Sequence, residues 1–298
     1  MLIALLISVL AVVGILLLGK LIVKDELAQY DLPVGVRFVT TDVGQAEASE
    51  RGLKRINAKI RASAGRSAVM SIKERTHYIR GVMDEFFNHI AIPSEVLPAI
   101  ANGVPAEWVI SPGADSKKRL LYIHGGAFFA GSPASHRVIT SRLSEICQCA
   151  VLSVDYRLTP ENTRLDCISD CQSAYKWMLD NGPDGVSVAS SVIVAGDSAG
   201  GNLTLVLLAC LRDERHRLPN CAIALSPITD GRYTSPSIKD NLESDVMLKS
   251  LVKRFSWMPR AFIGLVARKL GGGDPKDPKI SPLPVSYTHL TLPTSFEV

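Results

Sequence analysis

The feature that most constrains this chain is the run Gly196-Asp197-Ser198-Ala199-Gly200-Gly201. It directly follows an apolar, strand-like stretch at residues 191–195 and directly precedes a helix-like one at 199–211. A strand that turns sharply into a helix at a serine projects that hydroxyl from a strained bend. Residues two before and two after the serine then approach closely, so both must lack a bulky side chain, and Gly196 and Gly200 meet that demand. The new helix aims its first N–H groups at the bend, which favours developing negative charge there. The pattern alone also arises by chance or as a plain strand–helix turn. Its strand–turn–helix setting argues for Ser198 as a nucleophile, with Asp197 and Gly201 as supporting positions.

A second motif, His124-Gly125-Gly126-Ala127, ends the apolar run at 120–123. Acyl transfer passes through a tetrahedral oxyanion, and each preorganised N–H donor aimed at it is worth on the order of 3 kcal/mol. Glycines let the backbone turn its amides toward such an oxygen. The expected donors are Gly125, Gly126 and Ala199. A glycine turn after a strand is common. This one, however, precedes the serine elbow by about 70 residues and two strands, as an oxyanion loop does. His124 closes a buried strand, so it is expected to hydrogen-bond the loop and not to serve as the catalytic base.

Around these motifs the chain alternates. Short apolar runs at 108–110, 120–123, 150–154, 192–195 and 222–225 are separated by helical stretches at 135–146, 166–179 and 199–211. That order predicts an α/β fold, a mostly parallel sheet flanked by helices. Ligands in such sheets sit beyond the carboxyl ends of the strands, where both motifs fall. Residues 47–89 are apolar at spacings of three and four (Leu53, Ile56, Ile60, Val69, Ile72, Ile79, Val82, Phe86), which predicts helix. Residues 2–19 carry no charge, and an apolar run continues past Lys20 to Val23. A lipid-spanning helix needs about 20 apolar residues, so residues 1–24 are expected to form an uncleaved transmembrane anchor. Lys20, Lys24, Arg37 and Arg51 follow the span, which places the remaining chain in the cytoplasm by the positive-inside rule. The expected domains are therefore the anchor at 1–24, N-terminal lid or cap helices at 25–105 and the α/β core at 106–284.

The formal net charge of +4 over 298 residues, without a basic run, gives no support for a nucleic-acid partner. Six cysteines in a chain of this length do not make a disulfide framework. No histidine lies at ligand spacing from any of them, so no metal site is expected and the thiols are read as buried.

The two motifs resemble those of the hormone-sensitive lipase family of α/β-hydrolases. Its members carry HGG before the first core helix and GDSAGG at the nucleophile. Residues 155–161 (Asp-Tyr-Arg-Leu-Thr-Pro-Glu) resemble that family's DYRLAPE segment, with Thr159 in place of alanine. Asp170, Ala174 and Trp177 resemble the helix that follows. Ser226-Pro227 and residues 272–278 with 281–283 resemble later segments. The resemblance covers about residues 106–283. It implies a lid built partly from N-terminal helices and a cofactor-free Ser-His-Asp mechanism on carboxylic esters. Small-molecule esters, short-chain or lipophilic, are the expected substrates.

The pattern breaks after residue 283. The fold orders its triad as Ser, then acid, then His. Beyond Ser198 only His216 and His289 remain, and His216 sits in a charged helix end. Asp274 or Asp277 with His289 has the right order, but the family resemblance implies a further strand before the acid and another before the histidine, and no room for them remains. Residues 285–294 moreover resemble the translation of a transposon-based sequencing adapter. Residues 285–298 are therefore expected to be non-native, the catalytic acid and base to be absent, and the chain to be a truncated, inactive piece of an ester hydrolase. Rival readings are an amide-cleaving peptidase on the same fold and a membrane-bound binding protein on a dead one.

Overall fold

The computed structural model describes residues 43–67, 69–231, 268, 273–274 and 277–283. Residues 1–24, read as an anchor, and residues 285–298, read as foreign, lie outside these, as does His289. Among the described residues no helix is long and apolar enough to cross a membrane. The chain divides into two units, Met1–Val69 with Asp230–Pro275 and Met70–Thr229 with Lys276–Val298.

In the first unit the described element is helix α1, Val43–Ser67. Its exposed face carries i,i+4 ion pairs, Arg51 with Glu47 and Lys54 with Glu50, the spacing that brings side chains together on a helix surface. The stretch expected to be helical at 47–89 contains two helices. The second, α2, is Ile72–Glu85 in the other unit. Ser71 starts it by a reciprocal capping box: its side chain accepts from the Glu74 amide, and Glu74 accepts from the Ser71 amide. The local signal for this break was Ser71 followed three residues later by Glu74.

The second unit contains the sheet. Its strands are β1 Glu95–Ala101, β2 Val104–Ile110, β3 Asp115–Ile123, β4 Cys149–Val154, β7 Ser191–Asp197 and β8 Cys221–Leu225, in spatial order β1-β2-β4-β3-β7-β8. A separate two-stranded ribbon pairs β5, Asn181–Gly182, with β6, Gly185–Val186. The pairs β3–β4, β3–β7 and β7–β8 are parallel, whereas β1–β2 and β2–β4 are antiparallel. The expected start of the core at residue 106 is thus corrected to Glu95. Asn102 and Gly103, at φ 51° and 87°, turn a tight hairpin between β1 and β2. An Asn-Gly pair between apolar runs is a strong hairpin signal, because both residues tolerate left-handed backbone.

Period-two alternation sorts the strand residues onto two faces. Leu121, Ile123, Leu152, Val154, Val192 and Val194 pack with α4, Arg164–Asp180, and α5, Ser198–Asp213. Leu120, Tyr122, Val151 and Ala195 form a second cluster that takes in Leu143 of α3, Pro133–Cys147. With helices on both faces, a central strand has no wet side, and all six residues of β4 are buried. Helix starts follow their caps: Ser132 with Pro133 in the first turn for α3, and Thr163 with Asp166 for α4. Parallel register sets Ile123 at the end of β3 beside Gly196 at the end of β7. That pairing brings the His124 and Ser198 loops to one edge of the sheet.

Candidate active site

Ser198 is half-buried and lies at φ 51°. This left-handed backbone costs a non-glycine residue roughly 1–2 kcal/mol. The strain goes with close backbone approach. A Cβ at Gly196 would lie 2.5 Å from the Gly200 carbonyl oxygen and 2.7 Å from that of Ile123. One at Gly200 would run into the carbonyl groups of Ile123 and His124. A Cβ at Gly201 would press on Pro227 at 3.0 Å. At all three glycines a side chain would collide with a neighbour, because β3, β7 and the start of α5 are closed on one another.

Asp197 occupies the N-cap of α5 but its side chain does not cap the helix. It turns instead to accept from the Tyr122 hydroxyl (2.8 Å) and the Gly125 amide (2.9 Å), with His136 Nε2 at 3.5 Å. Burial works against its charge. His136, the Tyr122 hydroxyl and the Gly125 amide outweigh that and hold the carboxyl below its ordinary range. Two consequences follow. The first-turn amides of α5, Ala199 among them, are left without a side-chain cap and face the bend. The Gly125 amide, expected as an oxyanion donor, is committed to Asp197; this corrects the assignment. Gly125 serves instead as the pin that ties the loop to the elbow. Among the described residues the amides of Gly126 and of Ala127, a residue not singled out from sequence, are not given to another group. Phe129 and Ala130 both turn their amides back onto the Gly126 carbonyl, at 3.1 and 2.9 Å. Gly126 at φ 124° and Ala127 at φ 53° both have positive-φ backbone.

His124 is fully buried. Its Nδ1 donates to the Gly125 carbonyl at 2.8 Å, and its ring stacks on Tyr156 with centroids 4.3 Å apart. The Tyr156 hydroxyl donates to the His124 carbonyl at 2.8 Å. Burial, with His136 nearby, pushes the His124 pKa down to about 3, so the ring is neutral and locked as a brace. Tyr156 entered the sequence reading only through the family resemblance; its structural task is to hold this brace. Arg157 anchors the same segment to α4 through a two-pronged bond to Asp170, at 2.7 and 2.9 Å.

Two further residues carry no sequence signal. Asn202, one turn after Ser198, donates to the carbonyls of Ile228 (2.6 Å) and Ile280 (2.9 Å) and accepts from Arg164 at 2.7 Å. The Arg164 guanidinium lies 3.3 Å from the Phe128 ring centroid. One buried arginine thus joins helix α5 to the loop that carries Phe128.

No histidine among the described residues hydrogen-bonds the Ser198 hydroxyl. His216 follows the far end of α5, about 25 Å along the helix axis from its start, where it pairs with Glu214 at 3.2 Å. Its expected exclusion as the base therefore has a geometric reason. Among the described residues no cluster of His, Cys, Asp or Glu has the arrangement of a metal site. All six cysteines are free thiols; Cys149, Cys167 and Cys171 are buried, while Cys147, Cys210 and Cys221 are partly exposed.

The sequence profile of the α/β hydrolase fold matches residues 120–295. The chain belongs to this family. The match spans both motifs and extends into residues 285–295, which the sequence reading sets apart from the native chain. The chain is 33% identical to an acetyl-hydrolase of Streptomyces hygroscopicus over 199 residues, 66% of this chain and 61% of that protein. It is 31% identical to an esterase of Acinetobacter venetianus over 189 residues, 63% of this chain and 58% of that one. It therefore spans about three fifths of the length of these relatives. Among solved structures, an esterase from the bacterial hormone-sensitive lipase family superposes with a TM-score of 0.64 at 31% identity, covering 78% of this chain and 73% of that one. This hydrolase-fold chain is accordingly of the hormone-sensitive lipase type.

Proposed function

We propose that the protein hydrolyses carboxylic esters through an acyl-enzyme on Ser198. The observation that carries this is the left-handed serine at an uncapped helix start, beside a loop whose Gly126 and Ala127 amides are given to no other group among the described residues. In the reaction the Ser198 oxygen attacks the ester carbonyl carbon. The carbonyl oxygen takes the negative charge and is held by the amides of Gly126, Ala127 and Ala199. Expulsion of the alcohol leaves the acyl group on Ser198, and water then releases the acid. The histidine that takes the serine proton, and the acid that orients it, lie outside the described residues on this reading. The apolar loop at 127–129 suits short-chain or lipophilic acyl groups. The uncharged run at 2–19, followed by Lys20 and Lys24, supports a single-pass anchor with the catalytic part in the cytoplasm.

The test uses protein expressed from the complete gene. A fluorophosphonate probe is expected to label Ser198, labelling to vanish in Ser198→Ala, and nitrophenyl esters to be cleaved in preference to aminoacyl anilides. An unlabelled, folded protein would mean a binding role on a dead fold; faster anilide cleavage would mean a peptidase.

A further inference from the structure

The oxyanion loop contains two consecutive non-glycine residues in left-handed backbone, Ala127 at φ 53° and Phe128 at φ 66°. Each such residue costs of order 1–3 kcal/mol and persists only where its surroundings over-determine it. Inside the loop, the amides of Phe129 and Ala130 are tied to Gly126. Its carbonyls are held from outside. The Thr159 amide and hydroxyl donate to the Phe128 carbonyl at 2.9 and 3.2 Å. The Phe129 carbonyl accepts from Arg80 Nε at 2.8 Å.

Arg80 comes from α2, far from either motif in sequence. Its guanidinium also donates to the Thr159 carbonyl at 3.0 Å and grips Glu161 with two bonds, at 3.1 and 2.7 Å. One planar fork thereby spans the oxyanion loop and the segment that supports it. One turn on, Asp84 accepts from the hydroxyl of Ser132, the N-cap of α3. The 80/84 pair, on one face of α2, holds the loop at Phe129 and again where it enters α3.

We propose that Arg80 is a positioning residue for ester hydrolysis. It keeps the strained loop in the one conformation that aims the Gly126 and Ala127 amides at the developing oxyanion, and Asp84 seats the helix that delivers it. This inference rests on the ester-hydrolase reading above. Arginine suits the task because its fork makes several fixed-geometry, charge-assisted bonds at once, which a lysine cannot copy.

The experiment compares Arg80→Met, Arg80→Lys and Glu161→Gln in protein from the complete gene. Active sites are counted by fluorophosphonate titration so that misfolded protein drops out. Misaimed donors remove transition-state binding and leave substrate binding alone. Arg80→Met is therefore expected to lower kcat per titrated site by about 10- to 100-fold, with KM within about twofold. Affinity for a boronic acid or trifluoromethyl ketone should weaken by the same factor. Arg80→Lys should recover part of the loss. Glu161→Gln, which leaves the carbonyl bonds of Arg80 in place, should stay within about twofold. An unchanged kcat per site in Arg80→Met, a change confined to KM, or an equal loss in Glu161→Gln would each overturn the inference. If the unmodified protein labels at Ser198 and only the Arg80 result fails, the hydrolase reading stands without it. If the unmodified protein neither labels nor turns over esters, both fall.

Discussion

His124 should act as a pH-dependent liability of the fold. Its ring is fully buried, stacked on Tyr156, and carries its proton on Nδ1 toward Gly125. Burial pushes its pKa down to about 3, against about 6.5 for an unfolded histidine. The sign follows directly. Between these values the unfolded chain binds a proton that the folded chain does not, so acidification favours unfolding. The contribution is fully present above pH 6.5 and is lost progressively as pH falls toward 3. Two pH units below the unfolded value, at pH 4.5, the loss is about 3 kcal/mol, taking roughly 1.4 kcal/mol per unit. Urea unfolding followed by tryptophan fluorescence suits the measurement, since Trp108 is buried 6.2 Å from Trp177 and reports on the core. The carboxyl of Asp197, held low, loses its contribution in the same direction but only as pH falls through its own depressed range. The informative quantity is therefore the difference between the native protein and His124→Asn. From pH 7.5 to 4.5 the native protein should lose about 3 kcal/mol more than the variant. Equal losses, to within about 0.5 kcal/mol, would refute the assignment of a neutral, locked ring, as would a His124 resonance that titrates near pH 6 in the folded protein.

Two glycine substitutions should behave oppositely. Gly200→Ala drives a methyl group into the carbonyl groups of Ile123 and His124 and should destabilise by about 3 kcal/mol or more. Gly81→Ala, in α2 with nothing within 4 Å of the new atom, should stabilise by roughly 0.5–1 kcal/mol. Thermal melts of both check the pair. At the elbow, Ser198→Gly should be more stable than Ser198→Ala by about 1 kcal/mol, because glycine accepts the φ of 51° without a Cβ clash. Equal stability of the two would show that the elbow is not strained.

The chemistry-bearing loops were legible because they are local. A glycine two places either side of a serine, set between a strand and a helix, is a steric requirement that the chain states in six consecutive residues. The alternation of apolar runs and helical stretches likewise announces a parallel sheet, and β4, β7 and β8 lie close to where that alternation puts them. The β1–β2 hairpin was also written locally, in Asn102-Gly103, but its strands belong to a stretch whose helical periodicity further upstream drew the domain boundary too late.

The amides of the glycine loop were another matter. Sequence names the glycine loop but not which of its amides are free. That depends on the Asp197 carboxylate, which abandons its helix cap to take the Gly125 amide, the Tyr122 hydroxyl and His136 from two other elements. Arg80, Arg164, Asn202 and Tyr122 are individually unremarkable in sequence. They matter only because folding brings α2, α4, α5 and β3 to the same edge of the sheet. By itself the sequence determined the elbow, the glycine loop and the α/β class, since each follows from contacts within a few residues. Which loop amides remain uncommitted was decided by tertiary structure alone, because the Asp197 carboxylate that takes the Gly125 amide lies 72 residues away.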